Sequence, residues 1–324
     1  MAEQQGRRVF VGIDGGATKT RAVVISEGGA VLGRSEVRSS SAYHREAEEA
    51  AGIVVNAARE ALGRAGAAGP ITALGAGLAG ADDPAVHQRL TRALGDAGLA
   101  EVVFVDHDAA AALAGGTALQ PGIVIIAGTG SVAFGIDEDG RRARAGGWGP
   151  LLDDEGSGYA IGRAALRAAM RAYDGRGEET ALSGMLAQRF ALGSLASLKM
   201  TVKTLNIDEI ASLAPLVVGA ARDRDTIALA ILTRAADGLA AMIAAVARAL
   251  GWERARCPLV TAGGMFKAGD AIREPMVRAL RAGGAAAQLA EARFSPDVGA
   301  ALLAAQAAGC DVGALIGRLD TGDA

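Results

Sequence analysis

The sequence predicts an α/β protein made of two copies of one unit, each running β-β-β-α-β-α-β-α, set around a shared cleft. Three observations lead there. The same order of strand-like and helix-like segments occurs twice along the 324 residues. A small-residue turn follows the first strand of each copy, Asp14-Gly-Gly-Ala-Thr-Lys-Thr20 in one and Ala127-Gly-Thr-Gly-Ser131 in the other. The third is composition: aromatics are only 3%, so the core must be built of Ala, Leu, Val and Ile, which suits packed helices and parallel strands better than an aromatic β-barrel.

In the first copy, the β-branched run 9–13 ends at Asp14-Gly15-Gly16, a strand entering a tight turn. Residues 21–26 form a second strand, and Gly28-Gly29 turns it into a third over 30–37. Apolar positions Ile53, Val54, Ala57, Ala61 and Leu62 are spaced for a helix over 45–65, which stops at Gly63 and Gly66. A strand follows at 71–78, then a helix opened by Asp82-Asp83-Pro84, with Pro near its first turn. A strand at 102–105 leads to an Ala-rich helix starting at Asp108. The second copy reads likewise: strands 123–126, 131–136 and 141–145, a mostly helical stretch 159–251, a strand 258–262, a helix 270–281, a strand 288–294 and a last helix from Asp297. The two last helices also open alike, Asp106-His-Asp108-Ala against Ser295-Pro-Asp297-Val. The expected units are therefore 1–119 and 120–324, with a helical insertion at about 159–251, a hinge near 115–122, and a last helix able to pack back on the first unit.

Charge and cysteine content narrow the function. A net charge of −3 and a pI near 5.7 offer nothing to a nucleic acid or an anionic membrane surface. Cys257 and Cys310 show no Cys-x-x-Cys spacing and read as ordinary thiols. The apolar run at 9–13 is too short for a signal-peptide core. The uncharged stretch 109–136 is broken by Pro121 and several glycines, so it reads as helix, turn and strands instead of a membrane span. A cytoplasmic location is expected.

The two turns carry the chemistry. Glycines let a backbone approach an anion, and successive N–H groups in such turns form an anion-binding nest. Thr18, Thr20, Thr129 and Ser131 add hydroxyls, and Lys19 adds a positive charge. A carboxylate beside a phosphate nest makes sense when a cation lies between them, which points Asp14 towards Mg²⁺. The plainer alternative is a pair of tight hairpins with an exposed Lys. No G-x-x-x-x-G-K-[ST] phosphate loop occurs. A G-x-G-x-x-G does occur, from Gly75 to Gly80, but Asp82 and Asp83 follow it where a pyrophosphate would dock, and a three-stranded meander precedes it.

Taken together, Gly12-Ile-Asp-Gly-Gly-Ala-Thr-Lys-Thr20, Leu74-Gly-Ala-Gly-Leu-Ala-Gly80, Asp106-His-Asp-Ala-Ala110, Ile125-Ile-Ala-Gly-Thr-Gly-Ser131, Gly146-Gly-Trp-Gly149, Asp153-Asp-Glu-Gly-Ser-Gly158 and Thr261-Ala-Gly-Gly264 resemble the sugar-kinase, Hsp70 and actin superfamily. More narrowly they are similar to the BadF/BadG/BcrA/BcrD-type ATPases and their N-acetylglucosamine kinases. The resemblance runs from residue 12 to about 264. It implies a duplicated ribonuclease H-like, actin-like ATPase fold around a nucleotide cleft, with ATP and Mg²⁺ as cofactors. It also implies a small-molecule sugar substrate. A homodimer is expected on a separate ground, since the Ala/Leu-rich helical stretch 159–251 offers a face to bury against a copy of itself.

Residue by residue, the resemblance assigns Gly15, Gly16, Thr18, Lys19 and Thr20 to the β/γ phosphates and Asp14 to the metal. Gly128, Thr129, Gly130 and Ser131 would hold phosphate from the second unit, and Gly263 and Gly264 would approach the adenosine. Asp108 matches the catalytic Asp that accepts the proton of the sugar hydroxyl, while Gly147, Trp148 and Asp154 match positions that read the sugar. Plainer roles stand beside these: Asp108 as a helix N-cap, Trp148 as core, and Asp153 to Glu155 as a solvated acidic loop. His107 is expected to point away by strand alternation. Tyr43 stands near the place of an Asn that reads the sugar in the kinases, which widens the acceptor to glucosamine, N-acetylmuramic acid or a plain hexose. The cysteine motif of the family's iron–sulfur dehydratase activators is absent. The expected activity is ATP-dependent phosphorylation of the 6-hydroxyl of N-acetylglucosamine or a related amino sugar, with a regulatory ATPase lacking a sugar acceptor as the rival.

Overall fold

Strands that must be covered on both faces read as continuous apolar runs, and the segment Val9–Gly15 is of this kind. In the computed structural model, which describes residues 8–43, 45–67, 71–252, 257–284 and 287–319, it is β1, the middle strand of a five-stranded sheet. Its companions are β2 (Lys19–Ser26), β3 (Val31–Arg38), β4 (Ile71–Leu78) and β5 (Ala100–Asp106), in the order β3-β2-β1-β4-β5. The first three strands are antiparallel, and β4 and β5 run parallel to β1. Helix α1 (Ala47–Ala65) covers one face, burying Val54, Ala57, Ala58 and Ala61 against Val11, Ile13 and Val24. It ends where Gly66 takes a left-handed φ of 63°. Helix α2 (Pro84–Asp96) begins as expected, with the Asp83 carboxylate accepting from the Ala85 and Val86 amides.

On the opposite face of this sheet lie α3 (Asp108–Thr117) and, from the far end of the chain, α11 (Pro296–Ala307). The chain divides into two units, residues 1–122 with 291–324, and residues 123–290. The unit expected over 120–324 therefore loses its last segment to the first unit. The reason is steric as well as hydrophobic. Gly12 and Gly75 are neighbours in the β1–β4 register, and a Cβ on them would lie 1.9 Å from the Asp297 carbonyl oxygen and 2.0 Å from that of Ala300. Two bare positions side by side make a trough into which α11 sinks. Val298, Ala301, Leu302 and Ala305 then bury against Phe10, Val23 and Ile25. Helix α12 (Val312–Leu319) adds Leu315 and Leu319 to the same cluster.

The second sheet repeats the plan. Strands β6 (Gly122–Ala127), β7 (Ser131–Ile136), β8 (Arg142–Gly146), β9 (Pro258–Ala262) and β10 (Gln288–Leu289) lie in the order β10-β9-β6-β7-β8, equivalent to the first sheet read from its other edge. The strand expected over 288–294 shrinks to two residues. Beyond it the chain leaves the sheet, and the Arg293 and Phe294 amides donate to Gly116 and Gly115 of α3. The helical stretch resolves into α4 (Gly158–Tyr173), α5 (Leu182–Arg189), α6 (Leu198–Thr201), α7 (Ile207–Ala211), α8 (Ala214–Arg222) and α9 (Thr226–Ala249), with α10 (Asp270–Ala282) after β9. Helix α9 is long and apolar enough to cross a membrane, but half of that span is buried. Its Leu232, Leu239, Ile243 and Val246 belong to the core of the second unit, so it reads as the core helix of a globular unit.

Candidate active site

In the first unit, candidate groups gather at the carboxyl end of β1 and β4, where open α/β sheets place their ligands. The first turn is tight: the Gly16 amide donates to Lys19 O (3.0 Å), and Gly15 has no room for a side chain between Leu78 and Ser40. Thr18 is exposed at the tip. Thr20 turns the other way: it is fully buried, and its hydroxyl donates to Ser40 Oγ at 2.8 Å. Lys19 is paired with Glu36 on β3 (2.7 Å), which also takes Arg21. These two positions, expected at the phosphates, are thus engaged across the β2–β3 hairpin. Alternation along β2 carries the reason, since Lys19 and Arg21 share a face and Thr20 must take the other.

Asp14, opposite Gly77 in the β1–β4 register, has its carboxyl pushed up to about 7. Loss of surrounding water is the main cause, followed by the charges of Asp108 and Asp297, against the opposing pull of Arg21 and Lys19. Asp297 is buried and held by Arg34 (2.8 Å), by the Ser295 hydroxyl and by the Val298 amide. Asp14 suits a divalent cation: Mg²⁺ commonly takes one or two protein carboxylates and completes its shell with water and phosphate oxygens. Among the described residues no cluster of three metal-ligating side chains competes with that arrangement.

Asp108 opens α3 but does not cap it. His107 is the N-cap, its Nδ1 accepting from the Ala110 amide at 3.2 Å, so its ring turns into the helix start instead of away. The Asp108 carboxylate accepts from the Ala109 amide at 2.9 Å, where the positive end of the helix favours an anion. The helix sits this low because Gly77 is bare: a Cβ there would meet Ala111 Cβ at 2.4 Å and the Asp108 Cα at 3.5 Å. The glycines of the G-x-G-x-x-G run are therefore helix seats, Gly75 for α11 and Gly77 for α3. Tyr43 is 57% exposed, and its hydroxyl donates to Asp82 at 2.9 Å. The loop beneath it is tied to the first turn through Ala42 N to Ala79 O and Ala79 N to Gly15 O.

In the second unit the 127–131 turn is braced from within. The Gly128 amide closes on Gly130 O, and the Ser131 amide donates to the Asp154 carboxylate at 3.2 Å, so these two amides are committed inside the turn and are lost to any anion nest. The Ser131 hydroxyl donates to Glu155 O at 2.7 Å. Asp154 is buried with a φ of 64°. Burial raises its carboxyl above the usual range, the Ser131 amide opposes, and Asp153 adds to the rise. It lies against the turn, a setting that sequence spacing did not disclose. The Thr129 hydroxyl donates to Asp208 on α7 at 3.0 Å, a partner the sequence reading missed because 79 residues separate the two.

Trp148 is 67% exposed, which removes it from the core, and the Arg144 guanidinium lies 5.3 Å from its ring centre. Gly147 carries a φ of 73°, and a Cβ on it would strike that guanidinium at 2.7 Å. Gly263 (φ 97°) packs its backbone on Ala127, where a Cβ would come within 2.3 Å of the carbonyl oxygen. That contact draws the 263–264 turn against the 127–131 turn. A Cβ on Gly128 or Gly264 would meet nothing. These bare positions fit a nucleotide that lies against backbone.

Two α/β units with this strand order, each carrying a glycine turn after its first strand, define the actin-like ATPase fold. The model of the BadF/BadG/BcrA/BcrD ATPase family matches residues 11–304, and the chain belongs to that family. It is 36% identical over 270 residues to an N-acetylmuramic acid/N-acetylglucosamine kinase of Clostridium acetobutylicum, covering 80% of this chain and 86% of the relative. It is 31% identical over 316 residues to an N-acetyl-D-glucosamine kinase of Dictyostelium discoideum, covering 92% and 98%. A solved structure of a candidate N-acetylglucosamine kinase from Chromobacterium violaceum superimposes with a TM-score of 0.76 at 29% identity, covering 91% of this chain and 98% of that one.

Proposed function

We propose that the chain is an ATP-dependent kinase that transfers the γ-phosphate to the 6-hydroxyl of N-acetylglucosamine or a closely related amino sugar. The observation that carries it is the placement of Asp14 and Asp108. Gly77 pairs with Asp14 in the register and lies directly under the start of α3, so one carboxylate for a cation and one for a proton meet at one sheet end. The identity to two amino-sugar kinases over most of their length supports the acceptor class.

In this reading MgATP supplies the phosphoryl group and the charge that neutralises it, and the remaining work is positioning. Asp14 holds the cation. Gly15, Gly16 and Thr18 approach the phosphates, with Lys19 and Thr20 shaping that turn from β2. In the second phosphate turn, Thr129 and Gly130 face the phosphate while Gly128 and Ser131 brace the turn from within, and Gly263 and Gly264 lie along the adenosine. Tyr43, Gly147, Trp148 and Asp154 are assigned to the sugar. Asp108 accepts the proton of the attacking hydroxyl as the new P–O bond forms and the bond to the departing ADP breaks, and is left protonated, a contribution of about 10²–10⁴-fold. The enzyme is read as soluble and cytoplasmic, and as a homodimer.

The test is sugar-stimulated ADP release with MgATP against N-acetylglucosamine, glucosamine, N-acetylmuramic acid, N-acetylmannosamine and glucose. Strong turnover on one amino sugar is expected. Nucleotide binding with no sugar stimulating release would replace this reading with a regulatory ATPase.

A further inference from the structure

The 127–131 turn and helix α7 are mounted on the same end of α4. The Gly158 and Tyr159 amides, at the start of α4, donate to the Gly128 and Thr129 carbonyls at 2.8 and 3.3 Å. On α4, Gly158 and Gly162 leave room for α7: a Cβ on Gly162 would lie 2.0 Å from Ile210 O, and one on Gly158 3.2 Å from Ala211 O. A capping box fixes the start of α7, with Asn206 accepting from the Glu209 amide and Glu209 from the Asn206 amide. Asp208 is thereby aimed from a seated helix at the hydroxyl of Thr129, which donates to it at 3.0 Å.

A threonine hydroxyl has one hydrogen to give. While Asp208 takes it, Thr129 meets an incoming phosphate with lone pairs, and the Asp208 carboxylate adds like charge behind it. We propose that Asp208 is a positioning residue that latches the phosphate turn: Thr129 must exchange its Asp208 acceptor for a phosphate oxygen when nucleotide binds, so the carboxylate weakens affinity through the phosphates alone. This rests on the assignment of 127–131 to nucleotide phosphate. The helical insertion then sets how readily nucleotide is bound and ADP released.

The experiment is equilibrium titration of ATP, ADP and adenosine on the full chain and on Asp208→Asn, Asp208→Ala and Asp208→Glu. Asp208 is exposed, so these variants keep the fold. Asn and Ala are expected to tighten ATP and ADP about two- to fivefold, the scale of an exposed charge interaction, and to leave adenosine unmoved. Glu is expected to bind ATP as the unaltered chain does, and the difference between Asn and the unaltered chain is expected to shrink towards 1 M salt as charge is screened. ATP binding by Asp208→Asn that equals or falls below the unaltered chain's overturns the latch while leaving the nucleotide reading intact. A matching shift in adenosine also overturns it, since that marks a general structural effect. No nucleotide binding by the unaltered chain would remove the nucleotide assignment and the latch together.

Discussion

Replacing Gly75 by Ala tests the way α11 is seated. Gly75 has no positive φ among the glycines that do, so an alanine meets no backbone strain and the effect is steric alone. Its Cβ would lie 2.0 Å from Ala300 O and 2.7 Å from Ala300 C, well inside the roughly 3.5 Å at which such atoms attract. Helix α11 must move out by more than 1 Å along its middle, and it is wedged between the sheet and α3, where a Cβ on Gly299 would already lie 2.1 Å from Ala111 O. Overpacking of this kind costs about 1–3 kcal/mol, and rigid backbone partners put Gly75→Ala at or above the upper figure. Gly52→Ala is the matched control in the same unit: mid-helix in α1, exposed, with nothing within 4 Å of its Cβ. It should stabilise by about 0.5–1 kcal/mol. Both tryptophans, Trp148 and Trp252, lie in the second unit, so indole fluorescence follows that unit while far-ultraviolet circular dichroism follows both. Under urea, Gly75→Ala should shift the dichroism transition to lower denaturant, ahead of the fluorescence transition, and Gly52→Ala should shift it the other way. A Gly75→Ala midpoint within the error of the parent would refute the trough.

Asp108→Asn keeps an oxygen for the Ala109 amide, so the fold should hold while kcat falls about 10²–10⁴-fold. Sugar-dependent ADP release beside a nucleotide titration checks this, and a loss under tenfold would remove Asp108 from proton transfer. Trp148→Ala should raise the KM for sugar far more than that for ATP, with little loss of stability because the ring is exposed; equal changes in both constants would end its sugar role. Asp225 accepts from the Ala181 and Ala228 amides and the Thr180 hydroxyl. Burial alone would raise its carboxyl, but these donors win and hold it below the usual range. The stability it contributes is therefore complete above the unfolded value of about 3.9 and lost as pH falls through the lower folded value. Thermal melts of Asp225→Ala, expected about 1–2 kcal/mol less stable at pH 7 for a lost cap, should close their gap to the parent's as pH falls below the unfolded value.

The doubled architecture was legible because both copies announce themselves locally, through a β-branched run, a glycine turn and a hairpin. The openings at Asp108 and Asp297 were equally plain. What stayed hidden depends on distant partners. Nothing near Gly12 or Gly75 says that α11 fills them, since a glycine in a strand reads equally as ligand contact or helix seat. Glu36 takes Lys19, and Asp208 takes the Thr129 hydroxyl, across separations that carry no local pattern. Thr20 is different: its inward turn could have been read from the alternation with Lys19 and Arg21. The contact of Asp154 with the Ser131 amide was hidden likewise, because it follows from a left-handed backbone conformation that residue type does not disclose.

The trough under α11 also sets an order of assembly during synthesis. The first unit's open sheet face, with Phe10, Val23 and Ile25, shares Ala118 at the end of α3 but gains most of its cover from residues that follow the whole of 123–290. A chain emerging from the ribosome amino end first therefore presents a second unit, continuous in sequence, that can close while the first still waits for its last helices. Synthesis stopped before residue 296 would leave that apolar face largely uncovered beyond α3. Such a nascent chain would be a natural client for chaperones until α11 and α12 dock.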